Sequence, residues 1–276
     1  MKAPSQPLKV AICQMTSTDD VDSNLKQISD LTARVPDGID LVCFPENSLY
    51  LRLHREAQVP AMRLTDPCFR ALQQLVDQRK FDLFIGSAPI ANGSGRPGNA
   101  TVYFTPGKSP RVVYRKIHLF DVDVKGAPPV RESDSFAHGE EPHVMEVKSW
   151  RIGLSICYDV RFSELYSNYA KEGAHLILVP SAFLVPTGAA HWHILLRARA
   201  IESQAFVIAA AQAGEHVGVH GEKRTTYGHS LAIDPWGEIL ADLGEAGPKV
   251  EVVTLDPARL ERVWRQIPQA QHRRLR

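Results

Sequence analysis

At 276 residues, with 44% hydrophobic content, the chain is long enough for one large α/β domain with a sizeable core. Its 32 Lys and Arg against 31 Asp and Glu leave a net charge of +1, and the basic residues are scattered, so neither nucleic acid nor an anionic membrane surface is an expected partner. No apolar run approaches the roughly 20 residues that span a bilayer, and "MKAPSQPLKVAICQM" has neither the apolar stretch nor the cleavage site of a secretion signal.

In chain order, short apolar runs alternate with segments of helical spacing, the pattern of a layered α/β fold in a single domain over residues 1–276. "LKVAIC" predicts a strand, and Val21, Leu25, Ile28, Leu31 and Val35 then recur at steps of three and four, giving a helix with one apolar face. "DLVCF" predicts a strand ending at Phe44, after which Pro45 sends Glu46 off the edge of the sheet. Asp66 and Pro67 form an N-cap and first-turn pair for a helix carrying Phe69, Leu72, Leu75 and Val76. After the strand "DLFIGSA", "NATVYFTPGKSPRVVYRK" gives two β-rich runs about a Pro/Gly turn, the second closed by Lys116. A polar excursion to about residue 141 is long enough to be a functional loop.

"RIGLSICYDVRFSEL" predicts a strand that stops at Cys157 and turns into a helix. A further strand ends at Val179, "PSAFLVPTGAA" is a loop, and a helix starts near His191. Strands "AFVIAAA" and "TTYGHSLAID", a "DPWG" turn, another strand and a helix capped by Asp256 and Pro257 complete the chain.

Four cysteines, at positions 13, 43, 68 and 157, show no CxxC spacing, which suits a reducing, cytoplasmic setting better than disulfides or zinc. A buried structural residue is the default for any one of them. Cys157 differs by position. It stands at the carboxyl end of a strand and before a helix, where α/β sheets bind ligands and where a helix N-terminus lowers a thiol pKa. Glu46 and Lys116 also leave strand ends, so a thiol, a carboxylate and an ammonium can converge on one cleft. There the carboxylate accepts the thiol proton, while the ammonium and the backbone N–H of Tyr158 hold an oxyanion. A histidine base is the rival, with eleven histidines available. His191 and His193 raise the question of a metal, but an i, i+2 pair on a helix diverges and no Cys or acidic partner stands at ligand spacing, so no metal site is expected.

Three motifs, "FPEN" with Glu46, "YRKIHLFD" with Lys116 and "GLSICYDVRFSEL" with Cys157, resemble the Glu-Lys-Cys triad motifs of the nitrilase superfamily of carbon–nitrogen hydrolases. "TGAAHWHILLRARAIE", "YGHSLAIDPWG" and "QHRR" extend the resemblance almost end to end. It is greatest to the branch that holds deaminated glutathione amidase, with omega-amidase next. The resemblance implies a four-layer α-β-β-α sandwich, a homodimer or higher homo-oligomer, no cofactor, and a cysteine-dependent amidase acting on a small carboxylate-bearing amide. Deaminated glutathione is the first expectation, 2-oxoglutaramate and N-carbamoyl amino acids the alternatives, and a catalytically silent scaffold the alternative of another class. Glu132 in "PVRESDSF" falls where the family has a second acid. Arg161 matches an arginine that grips the substrate carboxylate in related carbamoylases, and His191 joins Tyr158 and Arg161 as a candidate substrate-binding residue. Ala189 and His193 replace the Pro and Glu that relatives usually carry.

Overall fold

The computed structural model describes residues 2–54, 56–93, 95–125 and 129–274. Its first half supplies strands β1 (Leu8–Gln14), β2 (Leu41–Cys43), β3 (Asp82–Ile90), β4 (Gly98–Phe104), β5 (Arg111–Arg115), β6 (Asp121–Val122) and β7 (Val130–Arg131), with helices α1 (Val21–Ala33) and α2 (Pro67–Arg79). The second half supplies β8 (His143–Val147), β9 (Trp150–Leu154), β10 (Leu176–Leu178), β11 (Phe206–Ala209), β12 (Ala213–Val217), β13 (Lys223–Tyr227), β14 (Leu231–Ile233), β15 (Ile239–Asp242) and β16 (Lys249–Leu255). Helices α3 (Ser163–Lys171), α4 (Val185–Ser203), α5 (Pro257–Gln266) and α6 (Gln269–His272) accompany them.

The strands form two six-stranded sheets, ordered β16-β1-β2-β3-β4-β5 and β15-β14-β11-β10-β9-β8. The period-two alternation of β1 explains the layering. Val10 and Ile12 join a core with Leu154, Leu178 and Ile208 of the other sheet, whereas Ala11 and Cys13 pack with Ile28 and Leu31 of α1 and Phe69 and Leu72 of α2. Tyr166 of α3 and Trp192 and Leu196 of α4 belong to the cluster that contains the second sheet. The layers thus run helix, sheet, sheet, helix, as the expected four-layer α-β-β-α sandwich requires. Among the described residues no helix is long and apolar enough to cross a membrane.

Parallel pairing of β1, β2 and β3 in one sheet and of β9, β10 and β11 in the other directs their carboxyl ends to the segments that follow β2, β9 and β10. Gly86 of β3 lets these segments close on one another. A Cβ there would lie 2.2 Å from the Phe44 carbonyl oxygen and 2.4 Å from Pro180 Cβ, closer than atoms can pack.

Helix starts differ from expectation in three places. Asp66 takes the N-cap position of α2, but its carboxylate accepts from the Arg63 N–H at 2.8 Å and closes the preceding turn instead of capping the helix. Helix α4 begins at Val185 rather than near His191, because Pro186 fits a first helical turn, where its missing N–H is not needed. After Cys157 comes a 3-10 turn, Cys157–Arg161, and α3 begins only beyond Phe162. Asp256 caps α5 as predicted, accepting from the Ala258 N–H at 3.0 Å.

Candidate active site

Glu46 follows β2, Lys116 follows β5, and Glu132 opens a 3-10 turn after β7, within the long polar excursion. The three side chains meet in the interior. Lys116 Nζ stands 2.8 Å from Glu46 Oε1 and 2.8 Å from Glu132 Oε2, with Lys116 1% exposed and Glu46 3%. Two carboxylates against one ammonium need further donors if burial is to be tolerated. Asn99 Nδ2 donates to Glu46 Oε1 at 3.0 Å and to Glu132 Oε1 at 2.9 Å. The Ala182 N–H donates to Glu46 Oε2 at 3.0 Å, and the Phe120 N–H to Glu132 Oε2 at 2.6 Å. Every carboxylate oxygen therefore has a partner. Burial works against the Lys116 charge, but Glu132 and then Glu46 outweigh it and hold its pKa well above the ordinary lysine value, so it remains an ammonium at neutral pH.

Cys157 is buried beside this cluster with φ of +49°. A left-handed non-glycine residue stores about 1–3 kcal/mol of strain and persists only where its surroundings fix it. Here the Cys157 N–H donates to the Pro180 carbonyl at 2.9 Å. Asp159 holds the rest of the turn: Oδ2 accepts from the Ile156 N–H at 2.9 Å and the Tyr114 hydroxyl at 2.8 Å, and Oδ1 accepts from the His118 N–H at 2.9 Å. One buried carboxylate thus ties the nucleophile turn to the segment after Lys116.

The expected lowering of the thiol pKa by a helix N-terminus is not realised, since a five-residue 3-10 turn follows Cys157 in place of an α-helix. Burial pushes the Cys157 thiol up and the Glu46 charge adds to it, while Lys116 and the Ala182 N–H oppose them only in part. The balance at Cys157 thus favours the thiol over the thiolate.

A cavity of about 600 Å³, counting its open mouth, is lined by Glu46, Lys116, Glu132, Cys157, Arg52 and Arg224, with Phe120 and Phe136 among its apolar walls. Its described lining contains no histidine. Arg224 comes from β13. Burial draws its pKa down while Glu46, Cys157 and Glu132 oppose the shift, and an arginine remains charged throughout.

Arg161 stands elsewhere. Its guanidinium lies over the Tyr158 and Phe183 rings and donates to His191 Nδ1 at 3.2 Å, and none of Arg161, Tyr158 and His191 is in the described cavity lining. The Tyr158 N–H nevertheless belongs to the second residue of the 3-10 turn, where amides lack an intrahelical acceptor. Asn99 and Arg224 lie outside the motifs that mark the site in the sequence, and Asp159, within "GLSICYDVRFSEL", was not singled out there. The one available signal was polarity inside strand-like runs, Asn99 in "NATVYF" and Arg224 in "KRTTY".

His191 and His193 diverge on α4, as their spacing predicts, but the partners that the sequence did not show for His193 exist in space. His193 Nε2 is 3.1 Å from Asp242 Oδ2, and His229 Nδ1 is 2.9 Å from Asp242 Oδ1. No acidic partner stands at ligand spacing in the sequence, and Asp242 arrives instead from β15, remote along the chain. The four cysteines are all free and buried.

An α-β-β-α sandwich with a buried thiol, two carboxylates and an ammonium at its strand ends has the make-up of a hydrolase that forms a covalent intermediate. The family model for carbon-nitrogen hydrolases matches residues 9–265, and the chain belongs to that family. A deaminated glutathione amidase of Synechocystis sp. is 38% identical over 273 residues, covering 97% of this chain and 98% of that protein. The human deaminated glutathione amidase is 37% identical, covering 96% and 82%. Among solved structures, yeast Nit3, a member of branch 10 of the nitrilase superfamily, superposes with a TM-score of 0.81 at 28% identity, covering 100% of this chain and 99% of that one. An amidase from Nesterenkonia sp. AN1, solved with acrylamide added to its active-site cysteine, gives a TM-score of 0.74 at 26% identity, covering 96% and 97%.

Proposed function

We propose that this enzyme is an amidase that cleaves deaminated glutathione to 2-oxoglutarate and cysteinylglycine. The observation that carries the reading is the closed cluster of Glu46, Lys116 and Glu132 against Cys157, at the base of a cavity that also presents Arg52 and Arg224. As the sulfur attacks the amide carbon, Glu46 takes its proton. Lys116 and the Tyr158 N–H hold the oxyanion, Glu46 returns the proton to the departing amine, and a thioester remains. Water deprotonated by Glu46 then attacks the thioester carbon, the C–S bond breaks to release 2-oxoglutarate, and Glu46 hands the proton back to the Cys157 sulfur. Glu132 acts through Lys116, fixing the ammonium together with Asn99. Such a scheme needs no cofactor.

Deaminated glutathione bears a carboxylate at each end and its scissile amide between them. Two guanidiniums in the cavity wall match that charge pattern, and Arg224 replaces Arg161 as the first choice for gripping a carboxylate. The names of the Synechocystis and human relatives support the same substrate. 2-Oxoglutaramate and N-carbamoyl amino acids carry fewer or differently placed charges. Side-by-side kcat/KM values decide: deaminated glutathione should lead by at least tenfold, and a lead for either competitor reassigns the substrate. An acid-quenched adduct on Cys157, seen as intact mass, tests the chemistry. Labelling on Cys13, Cys43 or Cys68 instead would overturn it, and silence of the folded protein across an amide panel would favour the scaffold alternative. Assembly as a homodimer or higher homo-oligomer and a cytoplasmic, reducing setting belong to the same proposal. Four free buried thiols support the reducing setting.

A further inference from the structure

We infer that His193, His229 and Asp242 form a binding site for a single zinc-like divalent cation, separate from the catalytic cavity. Three elements deliver the ligands: α4, the loop after β13, and the end of β15. One ligand atom from each residue lies within 4.8 Å of the others. Two contacts are already at 3.1 Å, His193 Nε2 to Asp242 Oδ2, and 2.9 Å, His229 Nδ1 to Asp242 Oδ1. Ligands about 2.0–2.1 Å from a tetrahedral zinc ion sit roughly 3.3 Å apart, close to the spacing of both contacts with Asp242, so an ion there takes the place of the protons those contacts share.

The surroundings fix the ligands in advance. Tyr227 stacks on the His229 ring at 4.6 Å, and His193 meets it edge-on at 4.9 Å. The Trp192 indole N–H donates to the His229 carbonyl at 2.8 Å, and the Gly244 N–H to Asp242 Oδ1 at 2.9 Å. On the far side of the ring, His229 Nε2 lies 3.9 Å from the exposed Glu245 carboxylate, beyond hydrogen-bond distance. His229 itself is held at φ of +54°, one of six non-glycine residues with positive φ among the described residues. Two imidazoles and one carboxylate suit Zn²⁺ rather than Mg²⁺ or Ca²⁺, which prefer all-oxygen shells. Asp242 and both histidines are partly exposed, so the ion has access from solvent and water completes its coordination.

Zn²⁺ titration of metal-stripped enzyme tests the site. One equivalent should bind per chain, and His193→Gln and Asp242→Asn should each weaken binding at least tenfold while far-UV circular dichroism stays unchanged. Co²⁺ in place of zinc should give a visible spectrum free of thiolate charge transfer. Absence of stoichiometric binding leaves the trio a metal-free His-Asp-His bridge and overturns the inference. So does binding undiminished in both variants, or a thiolate band that puts the ion on a cysteine.

Discussion

Two clusters of acidic and basic side chains, among the several ion pairs of this molecule, differ in their surroundings. The cluster of Glu46, Lys116 and Glu132 is sealed between strand ends, with every carboxylate oxygen given a donor. The trio of His193, His229 and Asp242 keeps between 18% and 32% of each side chain exposed. In the first, low dielectric magnifies both attraction and the penalty for an orphaned charge; in the second, water screens both. Chemistry that needs a fixed ammonium and a movable proton belongs in the sealed cluster, and an exchangeable ion belongs in the open one.

The sharpest way to break the comparison is at the nucleophile. Cys157→Ala should reduce turnover to the uncatalysed background while the protein keeps its fold; residual activity above that level would show that the sulfur is dispensable. Lys116→Met should lose at least about two orders of magnitude in kcat, as loss of an oxyanion donor typically does. It should also destabilise the fold by about 3–5 kcal/mol, because two carboxylates then face each other without a counter-charge. Adding Glu132→Gln to that variant should restore part of the stability in urea unfolding and none of the activity. Recovery of activity would mean that Lys116 serves structure alone.

A buried neutral group gives a pH-dependent version of the same contrast. His216 is fully buried, with Nδ1 2.7 Å from the Ser17 carbonyl and Nε2 2.7 Å from Thr226 Oγ1. Burial lowers its pKa from 6.5 to about 4. The unfolded chain binds this proton below pH 6.5 and the folded chain only near 4, so the contribution is intact above 6.5 and is lost as pH falls through that window. It amounts to about 3 kcal/mol at most. Urea unfolding at several pH values should show the loss, and His216→Gln should flatten that part of the profile; an unchanged slope would remove His216 as its source. Arg224→Gln should raise KM for a substrate with two carboxylates by roughly tenfold to a hundredfold, the worth of a charge-assisted hydrogen bond, with kcat less affected. An equal effect on a substrate lacking the second carboxylate would show that Arg224 does not read it.

How much of this was legible in the sequence follows from range. Strand ends at Glu46, Lys116 and Cys157 could be placed because apolar runs and turn residues are local signals, and the motifs around them resemble a known family. The left-handed φ of Cys157 had no glycine to announce it, being fixed by Pro180 and Asp159 through tertiary hydrogen bonds. Asn99 bridges two carboxylates from 53 and 33 residues away, and Asp242 reaches His193 across 49, distances over which no periodicity carries information. Arg224 was hidden for the same reason: its ribbon, β12 with β13, lies outside both main sheets, and only the folded chain brings it over the cavity. The early start of α4 was masked by local chemistry, because Pro186 and Gly188 resemble loop residues and yet fit a first helical turn.

The smallest effect is expected where solvent has most access. In metal-free enzyme, Asp242→Asn removes one carboxylate from two partly exposed imidazoles, and such contacts are worth about 1 kcal/mol or less. A unfolding free energy within that margin of the unsubstituted enzyme is therefore the expected result. With Zn²⁺ at a hundred times the unsubstituted enzyme's dissociation constant the two proteins should part by about 1.3 kcal/mol more for a tenfold loss of affinity and by about 2.7 kcal/mol for a complete loss, since an ion that binds only the folded state stabilises it by mass action. A gap that is large without metal would mean that the trio acts as a sealed charge cluster like the one around Lys116. A gap that zinc fails to widen would mean that Asp242 holds its histidines and nothing else.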